Sequence, residues 1–206
     1  MTPITTILFD VGGVLVRTED RRPRMMLADA FGMTVQELEE IIFNSPSGQS
    51  AQRGDCTAAE HWEWVRDQLG LRPDELSAVR DTFFSGDVLD VELVRFLRDL
   101  KAHHRLGIIT NALDDARQAL TEKFQLVDLF EPIVVSAEEK VMKPDERIYR
   151  IALQRIGVQP GEAVFVDDFL ENVRGAQAVG MAAVWFRNRD QAIADLKRIL
   201  PDGSTS

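Results

Sequence analysis

Apolar positions follow two different rhythms along this chain. From roughly Arg17 to Val88 they recur at helical spacing; from Leu89 onward, short apolar runs alternate with amphipathic stretches. In the first region Thr34-Val35-Gln36-Glu37 and Thr57-Ala58-Ala59-Glu60 are capping boxes, in which a threonine hydroxyl and a glutamate carboxylate satisfy backbone N–H groups at a helix start. The helix after the second carries Trp62, Val65 and Leu69 on one face and stops at Gly70. Pro73 suits the first turn of a further helix that ends near Gly86. No strand is predicted there.

The second rhythm is strand and helix in turn. Strands are expected at 105–110, 133–135, 163–166 and 183–186, with helices at 90–102, around Leu113 to Phe124, and at 145–156, 171–179 and 190–199. An earlier strand, Ile4 to Asp10, opens the chain. Near-continuous apolar strands between amphipathic helices predict a parallel sheet covered on both faces, a Rossmann-like α/β core. Residues 1–16 and 89–200 make that core. Residues 17–88, an insertion of about 70 residues, are too long for a loop and are expected to be a helical cap with its own small core. The tail 201–206 is expected to fray.

Composition narrows the function. The 206 residues are 45% hydrophobic and 28% charged, as in a globular protein. A net charge of −10 argues against a nucleic-acid partner. No apolar run approaches the ~20 residues that span a bilayer, and Asp10 interrupts the N-terminal one, so neither a membrane partner nor a signal peptide is expected. The single cysteine, Cys56, excludes an internal disulfide and fits a reducing cytoplasm. Nothing in the sequence sets an oligomeric state.

The chemistry gathers at strand ends. Ligands of open parallel sheets bind outside the carboxyl ends of the strands. There the chain places Asp10, then Thr110 and Asn111, then Asp167 and Asp168 with Asn172 on the following helix, and Lys143-Pro144 ahead of another helix. Three carboxylates share a small site only when a cation joins them, and oxygen donors without His or Cys point to a hard ion, magnesium first. Thr110, the Asn111 backbone N–H and Lys143 suit a phosphoryl oxyanion.

These stretches resemble the four motifs of the haloacid dehalogenase superfamily: Asp10-Val-Gly-Gly-Val-Leu, Ile-Ile-Thr110-Asn111, Lys143-Pro144, and Phe-Val-Asp167-Asp168 followed by Asn172-Val-Arg-Gly-Ala. They occur in order over nearly the whole chain. The insertion after the first motif is similar to that of C1-capped members, above all small sugar-phosphate phosphatases and the phosphatase domain of epoxide hydrolases. The Arg53-Gly54-Asp55 run supports that placement. By resemblance, Asp10 is the nucleophile, and Asp10, Asp168 and the Gly12 carbonyl hold magnesium. Thr110 and Asn111 hold the phosphoryl group and Lys143 bridges it to Asp10. Asp167 acts through a water on the metal, and Asn172 orients Lys143 or the acidic loop. The implied activity is magnesium-dependent hydrolysis of a small phosphorylated metabolite, a sugar phosphate first, through an aspartyl phosphate.

Gly12 departs from the pattern. Most phosphatases of the superfamily carry a second aspartate there, which protonates the leaving oxygen and then activates water, although some similar members carry glycine. Two rivals therefore stand: a 2-haloacid dehalogenase, which needs neither magnesium nor the Asp167-Asp168 pair, and a catalytically weak phospholigand-binding protein. Among the remaining residues, Arg53 reaches from the cap to substrate or forms a surface ion pair, and Arg17 to Asp20 face substrate or form a solvated hinge. Trp62 and Trp64 read as cap core or cap–core interface, Trp185 as core, and His103-His104 as surface.

Overall fold

The computed structural model describes residues 3–200; the tail expected to fray lies outside the described residues. In chain order the strands are β1 (Thr6–Phe9), β2 (Val16–Thr18), β3 (Asp87–Leu89), β4 (Arg105–Thr110), β5 (Ile133–Val135), β6 (Ala163–Asp167) and β7 (Ala182–Trp185). The helices are α1 (Arg22–Ala30), α2 (Val35–Glu39), α3 (Pro46–Gln52), α4 (Ala58–Leu69), α5 (Leu76–Phe83), α6 (Val91–Leu100), α7 (Ala116–Glu122), α8 (Ser136–Glu139), α9 (Glu146–Ile156), α10 (Leu170–Ala178) and α11 (Arg189–Ile199).

Five parallel strands form the core sheet in the order β5-β4-β1-β6-β7. The alternation of side chains along β1 shows why its sequence is apolar throughout. Ile7 and Phe9 pack into one cluster with Leu93 and Leu97 of α6 and Leu196 of α11. Leu8 faces the other way, into a second cluster with Ile148 and Tyr149 of α9 and Ala176 of α10. Both faces are covered, as the unbroken apolar run requires. Strand order reverses at β1, with β4 on one side and β6 on the other. The ends of these three strands therefore converge on one rim.

The insertion between β1 and β4 holds a third apolar cluster: Ala28, Leu38, Ile42, Trp62, Val65 and Phe83. Both capping boxes form, at Thr34–Glu37 and Thr57–Glu60. The buried Arg24 guanidinium pairs with Glu39 (2.8 Å) and Asp87 (2.9 Å) and lies over the Phe83 ring. It thereby ties α1, α2 and β3 together. His61 is also buried, its Nε2 against the Ile42 carbonyl (2.9 Å) and its Nδ1 against the Ser47 hydroxyl (3.0 Å). Burial pushes its pKa below the usual histidine value.

Several expectations are corrected. Strands do occur at the ends of the insertion: β2 and β3 pair antiparallel, and Thr18 bonds Asp87 across them (2.7 Å). Three-residue strands carry too little periodicity to be read from sequence. Arg17 is no solvated hinge residue, because its guanidinium meets the buried Asp90 carboxylate at 2.6 Å. Pro73 precedes its helix, which begins at Leu76. His104 is buried rather than on the surface, and Trp185 is 45% exposed rather than in the core, because β7 is an edge strand. No helix among the described residues is long and apolar enough to cross a membrane.

Candidate active site

Asp10 follows β1 directly, its N–H still bonded to the Val166 carbonyl (2.9 Å), so the ladder with β6 fixes it in place. Its Oδ1 accepts the Val11 N–H (2.7 Å) and lies 2.9 Å from the Lys143 ammonium. The bonds described for this carboxylate all go to Oδ1, which leaves Oδ2 for chemistry. The chain then makes a tight loop in which Gly13 N–H reaches the Val16 carbonyl (2.9 Å). Gly13 has φ +76°, and a Cβ on it would overlap the Asp168 carboxyl group. Gly12 differs: a Cβ there would meet nothing within 4 Å.

Lys143 comes up from the loop before α9 with its side chain fully buried, and its ammonium joins Asp10 to Asp167 (2.7 Å). A buried cation is tolerated only with such partners. Burial works to lower its pKa, but the two carboxylates hold it above the usual lysine value. Two hydrogen bonds clamp the lysine's backbone. Its N–H donates to Asn111 Oδ1 (2.8 Å), and Asn111 Nδ2 donates to its carbonyl (3.0 Å). Thr110, also buried, ends β4 beside Asn111.

Asp167 ends β6 with no exposure. Beyond Lys143 it accepts from Phe169 N–H (2.7 Å) and from Asn172 Nδ2 (3.1 Å to each oxygen). Asn172 thus orients the acidic loop, and Tyr149 fixes the helix carrying it by donating to the Asn172 carbonyl (2.8 Å). Asp168 is left differently. Its Oδ1 is buried with no hydrogen-bond partner, while its carbonyl accepts the Trp185 indole N–H (2.9 Å).

Burial, reinforced by the Asp167 charge and only partly offset by Lys143, pushes the Asp10 pKa up to about 7. Burial and the Asp167 charge push Asp168 to about 6. Donor oxygens of Asp10, Asp167 and Asp168 lie within 4.8 Å of one another. An orphaned carboxylate oxygen, two carboxylates that burial disfavours as anions and an all-oxygen donor set fit a hard divalent cation.

The structure brings together Asp10, Thr110, Asn111, Asp167 and Asp168 at strand ends, Lys143 from the loop before α9 and Asn172 from α10, far apart in sequence. Arg53 stands apart: its guanidinium pairs with Asp55 (3.0 Å) and touches the Ser50 hydroxyl (3.4 Å), the surface ion-pair reading. Sequence reasoning missed Trp185 and Ser136. The Ser136 hydroxyl accepts the Ala112 N–H beside Asn111 (3.0 Å) and donates to the Gln52 carbonyl at the end of α3 (2.6 Å). Only a serine after a short strand marked it.

Functional groups at the carboxyl ends of a parallel sheet, gathered where its strand order reverses, define the class as a Rossmann-like α/β enzyme. A family model for haloacid dehalogenase-like hydrolases matches residues 4–180, and the chain belongs to that family. The sesquiterpene phosphatase astK of Aspergillus oryzae is 29% identical over 200 residues, 97% of this chain and 98% of that protein. A glyceraldehyde 3-phosphate phosphatase of Methanopyrus kandleri is 26% identical over 197 residues, 89% of this chain and 84% of that protein. In fold, the chain is similar to a family enzyme of Bacteroides thetaiotaomicron solved as a magnesium complex (TM-score 0.76, 24% identity, 96% and 100% of the two chains).

Proposed function

We propose that the protein is a magnesium-dependent phosphatase that hydrolyses a small phosphorylated metabolite through an aspartyl phosphate, in the cytoplasm, under a cap formed by residues 17–88. One observation carries this reading: Lys143 is buried between Asp10 and Asp167 while the neighbouring Asp168 keeps an orphaned oxygen. Asp10, Asp168 and the Gly12 carbonyl would hold the magnesium. When bound, the ion neutralises charge between the carboxylates and the substrate phosphate.

The chain's residues supply the rest. Val11 N–H and Lys143 fix Asp10 Oδ1, so Oδ2 attacks phosphorus as the ester P–O bond breaks. Thr110 hydroxyl and Asn111 N–H stabilise the phosphoryl oxygens, and Lys143 spreads the charge of the nucleophile. The leaving oxygen takes a proton from solvent, since position 12 has no acid. Water then attacks the same phosphorus, the Asp10–phosphorus bond breaks, and phosphate leaves with Asp10 restored.

Sugar phosphates are the first substrates to try. The sesquiterpene phosphatase among the relatives adds sesquiterpene phosphates to the panel. The Asp167-Asp168 pair opposes a dehalogenase, which has no use for a cation site. Gly12 favours one second reading, a phospholigand-binding protein that turns over weakly. Phosphate release measured across both substrate classes, with and without EDTA and with Asp10→Asn as the blank, tests the proposal. EDTA-sensitive release that Asp10→Asn abolishes is expected; release that survives in Asp10→Asn overturns it.

A further inference from the structure

The cap meets the core through a short seam beside the phosphoryl-holding loop. Ser136, the first residue of α8, is fully buried. Its hydroxyl oxygen accepts the Ala112 N–H, next in chain to Thr110 and Asn111, while its single hydrogen has two acceptors in reach. The nearer is the Gln52 carbonyl at the end of α3 (2.6 Å), and the farther is the Ala112 carbonyl (3.2 Å). Two residues on, the Gly54 carbonyl receives the Lys140 ammonium. Gly54 has φ +72°, and a Cβ on it would overlap the Ala137 carbonyl, so only glycine lets the cap turn seat this closely. Lys140 itself holds a left-handed backbone, φ 57°, at the end of α8.

We propose that Ser136 is a positioning residue that couples cap closure to the phosphoryl-holding loop. With the cap down, its hydrogen goes to Gln52 and its lone pair holds Ala112 N–H, so one side chain joins the two. With the cap lifted, the hydrogen turns to the Ala112 carbonyl and the Gln52 carbonyl goes to water. No buried hydroxyl is stranded in either state, so Ser136 itself adds little to the cost of opening, which falls on Ala58 N–H with Asp114, Arg80 with Asp115 and Lys140 with Gly54. Ser136 keeps a partner for its hydrogen in both states, whereas in Ser136→Ala the Gln52 carbonyl loses its donor only when the seam is closed, a roughly threefold to tenfold bias toward opening.

This inference rests on the phosphatase reading for its kinetic arm and stands without it for its exchange arm. Hydrogen exchange of the Ala58 amide, which donates across the seam to Asp114 Oδ1 (2.9 Å), reads seam opening directly, in the full chain with magnesium and inorganic phosphate. Ser136→Ala is expected to speed that exchange threefold to tenfold while exchange in β6 stays unchanged. Ser136→Cys, which keeps a donor but a weaker one, is expected to fall between. On the kinetic arm, Ser136→Ala and Gly54→Ala each raise KM by a similar factor with kcat unchanged or higher. The double variant is no worse than the single ones, because both open one seam. Unchanged exchange of the Ala58 amide in Ser136→Ala and Ser136→Cys overturns the proposal. So do KM effects that multiply in the double variant, since Ser136 would then act on its loop without the cap. If the wild-type protein releases no phosphate from any ester, the phosphatase reading fails while the exchange result still decides the seam.

Discussion

Gly12→Asp is the substitution that tests the proposed mechanism most directly. The geometry admits it: a Cβ at position 12 meets nothing within 4 Å, and the residue is exposed without the positive φ of its neighbour Gly13. The cost to stability is therefore that of an ordinary surface change, within about 0.5 kcal/mol, and restricting the unfolded chain offsets part of it. The new carboxyl stands two residues from Asp10, whose own pKa is already pushed up to about 7. The same crowding of acids favours its protonated form, the form a general acid needs.

General acid–base help is worth about 10²–10⁴ in rate. The gain falls on esters whose leaving oxygen must be protonated, so alkyl phosphates benefit and aryl phosphates, with stable leaving groups, benefit far less. The assay compares kcat on an alkyl and an aryl phosphate for wild type, Gly12→Asp and Gly12→Asn, the last having the same size without a proton to give. The alkyl-to-aryl ratio is expected to rise ~100-fold or more in Gly12→Asp and to stay level in Gly12→Asn. A folded, magnesium-responsive Gly12→Asp with an unchanged ratio refutes the reasoning, because another group must then already supply the proton.

Further outcomes follow from the same geometry. Lys143→Met leaves Asp10 and Asp167 facing each other without their shared cation, so phosphate release is expected to fall by at least ~100-fold, with urea denaturation showing a loss of about 3–5 kcal/mol, the cost of breaking a buried pair. Metal-free protein carries Asp10 raised from the ordinary aspartate value of 3.8 to about 7, so between about pH 4 and 7 the folded state binds the extra proton and stability falls as pH rises. In EDTA, Asp10→Asn is therefore expected to gain on the wild type as pH climbs through that window in paired urea titrations; a gap that narrows contradicts the assignment. Trp185→Phe removes the indole N–H held by the Asp168 carbonyl, and isothermal titration is expected to show weaker magnesium binding, about tenfold for a group supporting a metal ligand.

Much of the core was legible because it rests on local patterns. The strands at 105–110 and 133–135 fall where the apolar runs place them, and both capping boxes in the insertion form from adjacent residues. The hairpin of β2 and β3 was not legible, since its two strands of three residues are set by a pairing across the whole insertion. Trp185 was misread for a related reason. An apolar residue in an apolar strand reads as core, and only the strand order shows that β7 is an edge with one flank open.

The site was legible in its residues more than in their partners. A sequence names donors and acceptors at strand ends, but which of them meet depends on contacts such as Asn111 with Lys143, 32 residues apart. The Asn111 side-chain amide grips the Lys143 peptide on both sides. Lys143, Phe169 and Asn172 bond both oxygens of Asp167. These two sets of contacts have one physical cause. A buried ammonium must be surrounded by acceptors and held still, and the structure spends Asp167 and Asn111 on that requirement. One oxygen of Asp10 and the orphaned oxygen of Asp168 are left without such partners. The lysine's network thus leaves free the Asp10 oxygen that the proposed phosphoryl transfer would use.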